Sequence, residues 1–178
     1  MSDAKSIHFP DTVALDEEGR ALVIIDQTQL PNRLELLRLS TTEEIREAIR
    51  ALKVRGAPAI GLAAACGVYL AAEEARETEY APFYRKLQAA ADTLASARPT
   101  AVNLFWAIER MMAVARNGAS LSLPEIRTLL RAEALRMIDE DIHACRVIGE
   151  NALGVLDGVT GILTHCNAGR LATVRYGT

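Results

Sequence analysis

The 178 residues suffice for one ordinary domain, or for a small domain followed by the start of another. Half of them are hydrophobic and only 24% are charged, so a sizeable core forms and wholesale disorder is excluded. The formal charge of −3 excludes a general attraction to nucleic acid or acidic membranes and leaves room only for a local basic site.

In chain order, residues 7 to 39 read as a small antiparallel meander. Ile7–Phe9 and Val13–Leu15 flank Pro10-Asp11, and Glu18-Gly19 is a turn before the apolar run Ala21–Ile25. Pro31-Asn32 breaks the chain again, and Arg33–Leu39 alternates like a half-exposed strand. Helical patterns follow. Ser40, Thr41 or Thr42 caps a helix with Glu43 and Glu44 in its first turn and Ile45, Ala48, Ile49 and Leu52 on one face. A second helix starts near Pro58 and runs through Ala72 toward Arg76. Tyr80–Ala97 and Ala101–Arg116 are two more, separated by Arg98-Pro99-Thr100, and Ser122-Leu123-Pro124-Glu125 opens a long one reaching Leu153. Ile162–His165 then reads as a buried strand, Cys166–Gly169 as a loop, and Leu171–Thr173 as a helix beginning. The fold class is α/β: a small antiparallel β meander plus helical bundle over residues 1–157, followed by the first β–α unit of a Rossmann-like domain over residues 158–178. A parallel sheet needs further strands, so a longer protein is expected.

Cys66, Cys145 and Cys166 are an odd number without CxxC spacing, so reduced thiols are expected and neither a disulfide framework nor a zinc site. The opening residues lack the apolar core of a signal peptide, and the apolar stretch Ala57–Ala72 is Ala/Gly-rich and short for a membrane span. It is expected to be a buried helix of a soluble, cytoplasmic protein that does not bind membranes or nucleic acid.

Three segments carry candidate chemistry. In Val54–Gly61, Arg55, Gly56 and Ala57 lie just before or at a helix start, where free backbone N–H groups and a guanidinium suit a phosphate. A solvated arginine in an ordinary helix–helix turn fits the same residues equally well. In Arg98–Leu104, Arg98 is held extended by Pro99 outside the next helix, and Asn103 either meets a ligand or caps locally; on spacing alone Arg98 is more often a surface residue. Phe105, Trp106, Ile108 and Met111 read as core. In Ile162–Gly169, Cys166 stands at a strand end before a loop, where amides and an arginine favour thiolate, although most free cysteines are inert and buried. His165 would face away from Cys166 along the strand and reads as structural. Cys66 and Cys145, among apolar neighbours in helices, read as packing residues.

Taken together, IDQTQLPNRLELL, VRGAPAIGLAAACGVYLA, RPTAVNLFWAIERM and ILTHCNAGRLATVRYGT, in this order and spacing, resemble the methylthioribose-1-phosphate isomerases. That family is related to the regulatory subunits of translation initiation factor 2B and to ribose-1,5-bisphosphate isomerase. The resemblance runs from Ile25 onward and is to the amino-terminal half of such an enzyme. It implies an aldose–ketose isomerase of methionine salvage acting on a small phosphorylated pentose, homodimeric, without metal or other cofactor. Arg55, Gly56 and Ala57 then match the substrate-contacting loop, Arg98 a second phosphate-binding arginine and Cys166 the catalytic cysteine. The second catalytic residue, an aspartate, and further Gln and Asn-Lys contacts would come from beyond Thr178, so residues 1–178 alone are expected to be inactive. Isomerases of 5-deoxyribose 1-phosphate or ribose 1,5-bisphosphate, and a non-catalytic regulatory subunit, are the alternatives.

Overall fold

The computed structural model describes residues 9–178. Ile7 and His8 of the first expected strand lie outside this range, and Phe9 has no regular structure. Three short strands, β1 (Val13–Leu15), β2 (Leu22–Ile25) and β3 (Leu36–Leu39), form an antiparallel sheet in the order β1-β2-β3. The register pairs Val13 with Ile24 and Leu22 with Leu39, which turns Val13, Leu22 and Ile24 into the core. β3 is shorter than the expected Arg33–Leu39. Before Leu36 the ladder stops, and Arg33 instead reaches Glu35 beside it.

Five α-helices complete the described residues: α1 (Thr42–Arg50), α2 (Ala57–Glu74), α3 (Tyr80–Ala95), α4 (Val102–Asn117) and α5 (Leu123–Leu153). Thr41 and Glu44 cap α1 reciprocally, the Glu44 N–H donating to Thr41 Oγ1 (3.2 Å) and the Thr41 N–H to Glu44 Oε2 (3.1 Å). Ser122 and Glu125 do the same for α5. α1 ends at Arg50, two residues before Leu52, the residue expected on its apolar face. The Leu52 N–H donates to the Ile49 carbonyl and the Lys53 N–H to the Ala48 carbonyl, closing a Schellman motif with Leu52 at φ +59°. That places Leu52 half-exposed, off the apolar face of α1.

α2 has no polar face, and Ala59 to Ala72 are all buried. It can only be a central helix, and α1, α3, α4 and α5 all pack around it. Its small residues set how near the neighbours come. A Cβ on Gly61 would lie 2.8 Å from the Asn103 carbonyl oxygen of α4, and one on Gly67 would lie 3.0 Å from Leu94 Cδ1 of α3. At the carboxyl end of α2, Arg127 from α5 donates to the Ala72 and Ala75 carbonyls (2.8 and 2.9 Å) and lies over the Phe83 ring. The last carbonyls of α2 thus gain charged donors inside the fold. α4 and α5 are tied by Arg110, which pairs with the buried Glu133 and grips Glu140 through two bonds (2.6 and 2.9 Å).

Two expectations fail here. Phe105 and Trp106 are not core: both are exposed on the outer face of α4, with Arg110 over the Trp106 ring, while Ile108 and Met111 face inward. Ile162–His165 is not a strand. It is exposed irregular chain, with Leu163 97% accessible, because no strand among the described residues lies beside it to complete a ladder. The expected helix beginning is a single 3-10 turn, Arg170–Ala172. No helix among the described residues is long and apolar enough to cross a membrane.

The α2–α4 approach is testable. Gly61→Ala should destabilise the fold by about 1–3 kcal/mol, the cost of overpacking, because backbone rather than a flexible side chain opposes the new methyl. Urea unfolding reads this directly, and an unchanged midpoint would show that the helices are less closely apposed.

Candidate functional site

The amino ends of α2 and α4 open onto the same cleft, of about 520 Å³. The loop before α2 contributes Leu52, Arg55, Gly56 and Ala57, and Ile60 lies one turn further in. The loop before α4 contributes Arg98, Thr100 and Ala101, followed by Val102 and Asn103 of the helix itself. Cys166 and Asn167 close the third side. All five residues singled out in the sequence, Arg55, Gly56, Ala57, Arg98 and Cys166, therefore meet at one place, although up to 111 positions separate them.

Local sequence gives the cleft features suited to an anion. Neither α2 nor α4 has a side-chain cap at its amino end, so first-turn N–H groups remain for a ligand or solvent. α3 is also uncapped, so that feature alone is not distinctive. What sets α2 and α4 apart is that the arginine in the loop before each lines one shared cleft, adding charge to two helix-end dipoles, whereas Arg76 before α3 stands among Glu77 and Glu79 and does not line it. Neither Arg55 nor Arg98 has a carboxylate partner among the described residues.

The wall carrying Cys166 is held by a strap, residues 169–178, that returns to the beginning of the chain. The buried Thr12 donates its N–H to the Val174 carbonyl (2.9 Å), and the Gln27 side-chain amide donates to the Leu171 carbonyl (2.8 Å). Arg170 donates to the Phe9 carbonyl (2.7 Å) and lies over the Phe9 ring, and Arg175 pairs through two bonds with Asp11 (2.8 Å each). From α5, Asp141 accepts the Val174 N–H (2.7 Å). The strap also sits on the arginine loop: Gly56 has φ +89°, and a Cβ there would come within 2.4 Å of Ala172 Cα. Gly56 is thus required by packing as well as by its backbone conformation.

Among the described residues only Leu52 (φ +59°) and Cys166 (φ +62°) are non-glycine residues in the left-handed region, and both line this cleft. Such backbone costs on the order of 1–2 kcal/mol and persists where surrounding structure enforces it, commonly at sites of function. Leu52 was missed by sequence reasoning, which placed it on the face of α1. The available signal was that no glycine stands where α1 must end. The Cys166 thiol is exposed, whereas Cys66 and Cys145 are buried as expected. Complete burial pushes the Cys66 thiol up to about 12, so it is inert at neutral pH. His165 is exposed.

Comparison with known proteins shows the family. The model of the initiation factor 2 subunit family matches residues 53–176, and the chain belongs to that family. It is 54% identical over 168 residues to a methylthioribose-1-phosphate isomerase of Symbiobacterium thermophilum, covering 94% of this chain and 47% of that protein. It is 50% identical to a 5-deoxyribose 1-phosphate isomerase of Moorella thermoacetica, over 87% of this chain and 44% of that one. Among solved structures, 5-methylthioribose 1-phosphate isomerase from Pyrococcus horikoshii superposes with a TM-score of 0.87 at 38% identity, over 96% of this chain and 47% of that chain. Translation initiation factor eIF-2B, subunit delta, from A. fulgidus superposes with a TM-score of 0.83 at 42% identity, over 95% and 48%. The chain spans about half the length of the curated relatives it matches.

Two consequences of the strap are measurable. Gly56→Ala should cost about 1–3 kcal/mol in urea unfolding, since the methyl meets the Ala172 backbone, and the same change at the open Gly149 should not. For Asp141, burial pushes the carboxyl up, and the bond from the Val174 N–H only partly opposes this. A folded value above the unfolded one contributes stability that is complete below the unfolded value and is lost as pH rises through the folded one. Asp141→Asn keeps the acceptor for Val174 without a charge to desolvate. The variant should therefore gain stability relative to the parent as pH rises from the acid range to neutrality. A constant difference across that range would mean the carboxylate is well solvated.

Proposed function

We propose that the protein carrying this chain isomerises 5-methylthioribose 1-phosphate to 5-methylthioribulose 1-phosphate. The observation that carries the reading is the meeting of Arg55, Arg98 and Cys166 on one cleft between two uncapped helix ends. The names of the relatives at 54% and 38% identity point the same way.

In this reading Arg55 and Arg98, with the first-turn N–H groups of α2 and α4, hold the phosphate. Gly56 and Ala57 let the loop backbone approach the sugar. Esterification at C1 prevents the sugar from opening to a free aldehyde, so the reaction needs an acid at the ring oxygen and a group that assists hydrogen in moving from C2 to C1. Cys166 serves one of these roles, and the resemblance assigns the other to a carboxylate beyond Thr178. Binding through the phosphate fixes C1 and C2 against the thiol, and positioning of this kind lowers barriers by several kcal/mol. Residues 158–178 then belong to the catalytic domain, residues 1–157 form the domain that receives the phosphate, and the active protein is a cytoplasmic homodimer.

The 5-deoxyribose 1-phosphate isomerases at 45% and 50% identity favour a second reading, in which the sugar carries a methyl group at C4 rather than a methylthiomethyl group. Parallel assays of the full-length protein on 5-methylthioribose 1-phosphate, 5-deoxyribose 1-phosphate and ribose 1,5-bisphosphate decide among the substrates. No turnover on any of them would leave a non-catalytic subunit, like the translation initiation factor subunit this chain superposes on, as the better reading. Where turnover is found, Arg55→Ala and Arg98→Ala should each raise KM by the equivalent of roughly 1.5–3 kcal/mol, a lost charged hydrogen bond. Cys166→Ser should abolish turnover while leaving phosphate binding intact. Normal activity of Cys166→Ser would remove the thiol from the mechanism.

A further inference from the structure

One polar group in the cleft is not used by the assignments above. The side-chain Nδ2 of Asn167 is fully buried, yet it has no acceptor among the described residues. An amide donor kept from water without a partner costs on the order of 1–3 kcal/mol, so such groups are rare and call for an explanation. Asn167 follows Cys166 directly, in a stretch where Cys166 already carries a left-handed backbone, and both residues line the same cleft. The strap bonds from Thr12, Gln27, Asp141 and Asp11 begin only at Arg170, so they anchor the loop without engaging the Asn167 amide.

We infer that Asn167 is a substrate-binding residue whose side-chain amide donates a hydrogen bond to a sugar oxygen beside the Cys166 thiol. The inference rests on the proposed isomerase reading. The phosphate is already matched by Arg55, Arg98 and two helix ends, which together supply charge and several donors. A neutral amide next to the thiol suits a neutral oxygen that gains electron density during reaction. In an aldose-to-ketose conversion that atom is the C2 oxygen. It begins as a hydroxyl, gives up its proton and ends as the ketose carbonyl oxygen, which can only accept. A fixed donor therefore interacts more strongly as the reaction proceeds, and a contact of that kind acts on kcat more than on KM.

The test uses the full-length protein with Asn167→Leu, which is close in size, removes the donor and adds no charge, and Asn167→Gln, which keeps a donor on a longer arm. Four quantities are read: kcat and KM on the best pentose 1-phosphate, affinity for inorganic phosphate, and melting temperature. The expected result for Asn167→Leu is a fall in kcat of about a hundredfold, the usual effect of deleting a donor to a developing oxyanion, with KM changed less. Phosphate affinity should stay near the parent value, melting temperature should not fall, and Asn167→Gln should recover part of kcat. A kcat for Asn167→Leu within about threefold of the parent overturns the inference, as does a joint fall of kcat, phosphate affinity and melting temperature, which marks a structural role. Absence of turnover in the parent protein is a separate outcome. It overturns the isomerase reading and takes this inference with it.

Discussion

The constraint on which the structure depends is the burial of α2. From Ala59 to Ala72 the only polar side-chain group other than the Cys66 thiol is the Tyr69 hydroxyl, so every face must be covered. Four helices and the sheet do so, and the small residues of α2 allow α4 to come so close that the Asn103 carbonyl occupies the space a Gly61 side chain would need. The two ends of such a helix cannot be treated alike. The carboxyl end is satisfied inside the protein by Arg127. The amino end faces outward beside that of α4, and the cleft lies where the two meet. Its position follows from packing.

Closing the cleft requires the chain to return on itself. Thr12 and Thr173 are completely buried, and Gln27 is nearly so. Thr12 and Gln27 use their hydrogen bonds to bind strap carbonyls, while Arg170 and Arg175 carry charged bonds back to the first described residues. Buried polar contacts of this sort fix register better than they raise stability, because each group left unpaired is costly. The strap also lies against Gly56, so the arginine loop and the thiol loop are held in one arrangement rather than as two independent surfaces.

Departures from local ease gather at this place. Leu52 and Cys166 hold left-handed backbone, and the Asn167 amide is buried without a partner among the described residues. Glu77 Oε2 before α3 and Arg170 Nε in the strap are buried in the same way, but the helix termini away from the cleft follow ordinary rules: capping boxes begin α1 and α5, acidic residues sit in their first turns, and i,i+3 ion pairs decorate the surface of α1. A protein with little stability to spare keeps such costs only where surrounding contacts enforce them, and here the α1 terminus, the strap and the α2–α4 pair do so.

The helices were legible from the sequence because their signals are local. Thr41-Thr42-Glu43-Glu44, Pro58, Pro99, Asn117-Gly118 and Ser122–Glu125 each act within a turn of where they stand, and the boundaries of α2 to α5 fell within a few residues of expectation. The unbroken apolar run of α2 likewise required a buried helix. The motifs also marked Arg55, Arg98 and Cys166. What local signals do not contain is the environment contributed by distant chain. A strand exists only with a neighbour to pair with, so Ile162–His165 has β-like composition and no β structure. Phe105 and Trp106 are apolar yet exposed, because which face of α4 is covered was decided by the approach to Gly61 and by Arg110. The meeting of three loops at one cleft, the seating of Ala172 on Gly56 and the isolation of the Asn167 amide likewise arise from contacts between residues far apart in the chain. Local signals thus place the helices and supply the chemical groups. Which of those groups face one another is set by long-range packing and hydrogen bonding, which no local pattern contains.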